Sequence, residues 1–348
     1  MATNERPGVY STVEVSSTLS SAGTGKTVGI AAVSALGTKG VCTSVSSYGQ
    51  AVSLFGVDCS LTKIIKVLLL NGAAAIKAVP VAVAATAETE DYIAAVAVLM
   101  EKEDVTIMIC DSRSTDVYSA MMSAIEGVSE NCKYRIGIVE SAGIVAETAA
   151  KAQALNHERM VMAYPAIEGE GALIGGVAAA LAGIVSAGSD PALPINGEKL
   201  AGTDSKLRIF SIEEITTHIQ AGVTPVESVY GSPCVVRGVT TRTKTAGVSD
   251  TTWRELTTVL IIDDVIPAVR SALRVKFPRV KNTVQTRGAI RTQVIIELES
   301  KLKKEIIDAY SCVTAIADEI DPTICNVGFE FTVAHGLNRI ILSARISV

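Results

Sequence analysis

From about Lys26 to Gly188, short continuous apolar runs alternate with longer stretches whose apolar residues recur at helical spacing. The runs 27–33, 74–83, 105–110, 135–139 and 159–163 predict strands. Segments 60–70, 91–101, 117–125, 144–155 and 172–186 predict the helices that go with them. Strands apolar on both faces, separated by helices of this length, suit a mostly parallel, doubly wound sheet with both faces covered. The stretch 190–197, with Pro191, Pro194 and Gly197, breaks the rhythm. A helix over 212–221 and strands over 226–229 and 234–239 follow, around a turn at Tyr230, Gly231, Ser232 and Pro233.

The last hundred residues differ in kind. A long helix is predicted over 252–277 despite Pro267, and a second lies within 287–309. Strict alternation then places Phe329, Phe331 and Val333 on one face of a strand. A second alternation, from 339 to the last residue, aligns Ile340, Leu342, Ala344 and Ile346. At the other end, residues 1–25 are rich in Ser, Thr and Gly around one strand-like segment, 9–16, which carries Val9, Tyr10, Val13 and Val15. Both chain ends are thus written as strands, and a strand on a flexible tether must find a sheet edge. The expected fold class is α/β, a doubly wound mostly parallel body plus an α+β C-terminal domain, with extended strand-forming arms at both ends. The expected divisions are an N-terminal arm at 1–25, the body at 26–230 and a C-terminal domain at 231–348 whose arm occupies about 339–348.

Composition adds limits. The chain has 348 residues, enough for two domains with cores. Aromatics make up 4%, so Ala, Val and Ile must build the interior. Seven scattered cysteines form no C-x-x-C pair and no His stands at ligand spacing from them, so no metal site is expected and a reducing compartment is. The first residues lack the basic-then-apolar order of a signal peptide, and the greasiest stretch, 171–188, is short for a membrane span. Folding in a cytoplasm is the expectation, with no membrane partner. The formal charge of −5 predicts no nucleic-acid partner.

Charge is unevenly spread, however. Between Trp253 and Lys304 eleven Lys and Arg face five Asp and Glu, a net +6 that leaves −11 for the rest. Arg270, Arg274, Lys276, Arg279 and Lys281 form its densest part, which fits an oppositely charged partner surface.

Candidate chemistry is weaker. Gly23, Thr24, Gly25, Lys26 and Thr27 reproduce the end of a phosphate-binding loop, but Ser20 stands where its first Gly belongs. Such a loop opens a helix, whereas residues 28–33 read as a strand. A P-loop-like nucleotide hydrolase is therefore an alternative rather than the expectation. So is a Rossmann-like small-molecule binding protein, since no G-x-G-x-x-G follows a strand. His157, His218 and His335 lie in no catalytic motif and are read as surface or capping residues. Asp263 and Asp264, adjacent on a helix, diverge by about 100° and are read as a solvated face. No catalytic or cofactor-binding residue is expected.

Several segments, in order, resemble contractile phage tail sheath proteins, including those of phage-tail-like bacteriocins. They are the opening Arg6, Pro7, Gly8, Val9 and Tyr10, the strand beginning Thr27-Val28-Gly29-Ile30, and Gly37-Thr38-Lys39-Gly40. The element 46–56, ending Leu54-Phe55-Gly56, is similar to a recurrent family segment. So are Tyr164-Pro165-Ala166, Ala221-Gly222-Val223 and the helix–strand–strand C-terminus. The resemblance implies a non-enzymatic subunit without cofactor, polymerising as stacked hexameric rings around a tail tube protein in a virion tail or tailocin. Baseplate and tail terminator proteins would be further partners. It also implies that Val9, Tyr10, Val13, Val15, Ile340, Leu342, Ala344 and Ile346 enter neighbouring subunits' sheets beside Phe329, Phe331 and Val333. The +6 segment would face the tube.

Overall fold

The structure is a computed structural model in which residues 26–129, 133–169, 171–203, 207–338 and 342–344 are described. It starts with Thr27–Ser34 (β1) and Thr43–Val45 (β2), then two helices, Tyr48–Phe55 (α1) and Ser60–Leu70 (α2). Alternation follows through Ile76–Val83 (β3), Thr89–Met100 (α3), Val105–Cys110 (β4), Thr115–Ser129 (α4) and Ile136–Glu140 (β5). Val145–Leu155 (α5), Met160–Tyr164 (β6) and Gly176–Ala187 (α6) continue it. Helix Ile212–Gln220 (α7) leads into a hairpin of Val223–Val229 (β7) and Ser232–Val235 (β8). Last come a small ribbon, Lys244–Thr245 (β9) with Val248–Ser249 (β10), then helices Leu256–Lys276 (α8) and Val284–Lys303 (α9). Strands Ile307–Ala317 (β11) and Cys325–Val333 (β12) complete the series.

Eight strands form one sheet in the order β2-β3-β1-β4-β5-β6-β7-β8. The six inner strands run parallel, while β2 and β8 are short antiparallel edges. The predicted doubly wound body is this sheet. Alternate residues feed two cores, as a pleated strand requires. Val28, Ile30 and Ala32 of β1 pack with α1, α2 and α6 on one face. Ala31, with Met108 and Met162, packs under α3, α4 and α5 on the other. At Gly29 a Cβ would stand 2.8 Å from Val105 Cγ1, so only glycine lets β1 lie this close to its neighbour.

Helix α8 belongs to two cores. Its first turns give Leu256, Val259 and Leu260 to the body. Further along, Ile261, Val265 and Val269 join Val294, Leu298, Ile306, Ile307 and Val313 in a separate C-terminal core. Anchorage on both sides of the chain's middle explains how the helix runs through Pro267 without ending. Ion pairs at Asp263 and at the Glu255 cap tie α8 to the body, and a third braces the body beside it. Arg159 of the body grips Asp263 with both guanidinium nitrogens, at 2.8 and 2.9 Å, and Arg242 pairs with Glu158 at 2.8 Å. Arg237 pairs with Glu255. Asp263 is thus not the solvated residue expected from the sequence; with 15% of its side chain exposed, it is the partner of a buried arginine. Asp264 diverges from it as expected and pairs with Lys301.

The helix expected within 287–309 runs over Val284–Lys303. The second long helix stops at Lys303, and Ile307 begins β11, which pairs antiparallel with β12. Two register shifts interrupt β11, between Ile307 and Ala309 and between Ser311 and Thr314, with Cys312 at φ +53° inside the second. Such bulges destroy the two-residue period that would have marked the strand. Strand β2 and helix α1 were also not anticipated as elements. Phe329, Phe331 and Val333 share one face of β12, as the alternation predicts, and that face packs on the C-terminal core.

Candidate assembly interface

In an open α/β sheet, ligands enter at the carboxyl ends of the strands where the winding reverses. Here that point lies between β1 and β4, and the chain fills it from within. Asp111, just past β4, accepts from the backbone N–H of Val33 at 2.9 Å and from the Tyr92 hydroxyl at 2.6 Å. Glu140, at the end of β5 and 1% exposed, occupies the start of α6. Its carboxylate accepts from the N–H groups of Gly175 (2.9 Å), Val177 (3.0 Å) and Ala178 (3.4 Å). Arg113 closes the ring, with Nε at 3.1 Å and Nη2 at 2.7 Å. Gly175 (φ +81°) is required because a Cβ there would meet the Cys110 carbonyl at 2.6 Å. A helix N-terminus and an arginine fork make an anion site, and its anion is a side chain.

The nearby ionisable groups are unsuited to proton or acyl transfer. Burial pushes the Cys110 thiol up to about 12, so it stays protonated and a poor nucleophile. Burial, and then the Asp111 carboxylate, push the Tyr92 hydroxyl well up, and burial does the same at Tyr118. Among the described residues no group of three His, Cys, Asp or Glu is arranged to hold a metal, and no helix is long and apolar enough to cross a membrane. Six cysteines, at 42, 59, 110, 234, 312 and 325, are free thiols.

The phosphate-loop candidate fares as its context predicted. Lys26 leads directly into β1, not into a helix, and its ammonium lies in the field of Asp263 and Asp264. Residues 20–25 lie outside the described ones. The histidines divide. His335 is exposed, and His157, half-buried, accepts the Arg159 N–H through Nδ1 at 3.0 Å within the turn before β6. His218 corrects the surface reading, because it is fully buried between Tyr164 and Phe210.

What remains is surface, and the two sheets treat their edges in opposite ways. The body ends on three-residue β2 and four-residue β8, and a bridge from Lys199 to Cys234 covers β8 further. Short, covered edges resist pairing. The C-terminal sheet is only β11 and β12, eleven and nine residues long, and among the described residues nothing pairs with either outer edge. A two-stranded sheet is marginal alone, and its inner residues Phe329, Phe331 and Val333 are only partly covered. Of the C-terminal arm, residues 342–344 are described; they carry no strand, and Leu342 is 89% exposed. Ile340, Ile346, Val9, Tyr10, Val13 and Val15 lie outside the described residues.

Arg270, Arg274, Lys276, Arg279 and Lys281 are all exposed, at the end of α8 and in the loop before α9. Lys276 donates to Gln293 at 2.6 Å, so their surface is anchored to α9. Val275, Val280 and Val284 stand exposed among them, an apolar component of this face that counting charges did not reveal. The β7–β8 turn also presents Tyr230, wholly exposed at φ +49°, where its sequence signal spoke only of a turn.

Relatives place this architecture. The profile of the phage tail sheath protein central domain matches residues 85–241, and that of the phage tail sheath C-terminal domain matches 248–347. No curated protein sequence matches the chain. Among solved structures, the sheath tail protein from Desulfitobacterium hafniense is 12% identical, with a TM-score of 0.70 over 94% of this chain and 100% of that one. The anti-feeding prophage helical sheath in the contracted state is 16% identical, with a TM-score of 0.72 over 99% and 100%. The sheath complex of PVC, an extracellular contractile injection system, also contracted, is 14% identical, with a TM-score of 0.71 over 100% and 99%. At these identities the structural likeness speaks for the fold, and the two sequence profiles, which between them span most of the chain, carry the family. The chain belongs to the phage tail sheath protein family.

Proposed function

We propose that this chain is the repeating, non-enzymatic subunit of a contractile tail sheath, polymerising as stacked hexameric rings around a tail tube. Subunits are linked by exchanged strands and move past one another on contraction, and the first and last rings meet baseplate and terminator proteins. The observation that carries this reading is the edge contrast: blunt edges on the large sheet, long open ones on the small sheet. Added strands supply main-chain hydrogen bonds along such edges, while alternate side chains fix register. Arms 1–25 and 339–348 are the proposed donors, with Phe329, Phe331 and Val333 beside the receiving edge. The self-filled crevice supports a subunit without catalysis, and the shared helix α8 supports one that moves as a rigid piece. Negative-stain microscopy of the purified chain tests the proposal. Striated hollow cylinders are expected, and discrete monomers at every concentration would overturn it.

The exposed basic face is the proposed tube contact. Reversing Arg270, Arg274, Arg279 and Lys281 to Glu is expected to leave polymerisation intact but weaken co-assembly with the tail tube protein. Co-sedimentation at low salt measures this. Raising ionic strength toward 1 M, where the screening length shrinks to about 3 Å, should mimic the substitutions in part. Unchanged co-sedimentation would place the tube elsewhere.

A further inference from the structure

We propose that His218 makes α7 an acid-sensitive latch, so that protonation of its ring releases the helix from the body. The helix is held lightly. His218 is its one fully buried side chain, Ile215 is partly buried, and Ile212 is 84% exposed. The imidazole sits edge-to-face with Tyr164, centroids 4.7 Å apart, and with Phe210 at 5.2 Å. Neither Nδ1 nor Nε2 has a hydrogen-bond partner among the described residues. A neutral ring already leaves one N–H and one lone pair unpaired in this box. An imidazolium would bring two N–H donors and a charge into a space with no oxygen to receive them, and the aromatic faces return only part of that cost.

The surrounding charges do not rescue the cation. Glu214, one turn earlier on α7, is engaged elsewhere: it accepts the Ser211 N–H at 2.9 Å in the capping box and pairs with Arg208. Arg208 lies over the Phe210 ring at 4.9 Å and repels a charged His218. Strand β6 contributes no charged residue, Glu227 of β7 accepts the Phe210 N–H at 3.4 Å, and the Tyr164 hydroxyl donates to the Gly143 carbonyl at 2.9 Å. On α5 the charged residues are Glu147 and Lys151, and neither acts on the ring. Burial accordingly holds the imidazole below its usual value, with Glu214 opposing and Arg208 assisting. The sign follows. Released His218 takes its proton near 6.5, ahead of the packed one, so the latch is whole above that pH and weakens as pH falls through it. Glu214 is itself held below the usual carboxylate range by the Ser211 N–H and Arg208, so the capping box remains charged while this happens.

Amide hydrogen exchange of the full chain between pH 7.5 and 4.5, corrected for intrinsic rates, tests the latch. Protection over 212–220 is expected to fall as the pH drops below about 6.5, by at most about tenfold per pH unit, while β5 stays protected. In His218→Leu, and independently in His218→Phe, protection of α7 should be flat across the range. Imidazole NMR on the parent chain gives a readout that needs no variant. Protection of α7 that ignores pH, equal losses in the variants, or a His218 ring that titrates near 6.5 while α7 stays protected would each overturn the proposal.

Discussion

Deleting residues 1–16, or truncating after Asn338, is expected to give a soluble, folded monomer with near-parental helix content that forms no cylinders. Among the described residues, those from Val28 to Val333 build the three cores, and under strand exchange the monomer is expected to close them without its own arms. Each arm offers four or five apolar side chains. At about 1.5–3 kcal/mol for each large one fully buried, that is several kcal/mol per strand before ordering costs. Repeated around and between rings, this term decides whether a polymer exists. Leu342→Asp isolates it. The side chain is almost wholly exposed in the single chain, so the monomer should be indifferent, yet a charge on the apolar face of the arm should stop polymerisation. Circular dichroism with electron microscopy of the three variants measures both halves. Normal cylinders without arms would refute strand exchange, and an unfolded truncated monomer would mean that the arms pair within their own subunit.

The second large effect is expected at the body's junction with α8. Arg159 and Asp263 are nearly removed from water, at 8% and 15% side-chain exposure, and Arg159 also lies over the Tyr134 ring at 4.5 Å. Arg159→Met strands a buried carboxylate, and a broken buried pair costs about 3–5 kcal/mol. Arg159→Met with Asp263→Leu removes both charges and should recover most of that loss, because a buried pair stabilises little over apolar groups of similar volume. Urea unfolding of the two variants and the parent provides the comparison. A double variant as unstable as the single one would show that Arg159 acts through its packing on Tyr134 instead.

How far the fold could be read from the chain depended on the range of the forces involved. Helix α2 and strand β4 match their predicted limits at both ends, because a buried parallel strand is a plain apolar run and α2 carries an unbroken apolar stripe. Strand β11 escaped because its bulges put successive inward residues out of phase. Of the candidate interface, the alternation of Phe329, Phe331 and Val333 and the cluster of basic residues were legible, being local in sequence. The partner of Asp263 was not, since Arg159 lies 104 residues away. Nor was the burial of His218, because a histidine beside the Ile212, Ile215 and Ile219 stripe carries no local signal of whether it lies under the helix or at its margin. The role of Glu140 was equally silent, because the backbone N–H groups and the Arg113 guanidinium that satisfy it come from other elements.

Glu140 has a thermodynamic consequence. Where a fold leaves a helix N-terminus to a free anion, its stability rises with the logarithm of that anion's concentration and drops when the anion is dialysed away. A carboxylate carried on the neighbouring strand is present at a fixed effective concentration set by the fold, which no dilution lowers. The α6 anchor is therefore expected to hold equally in phosphate-rich and phosphate-free media.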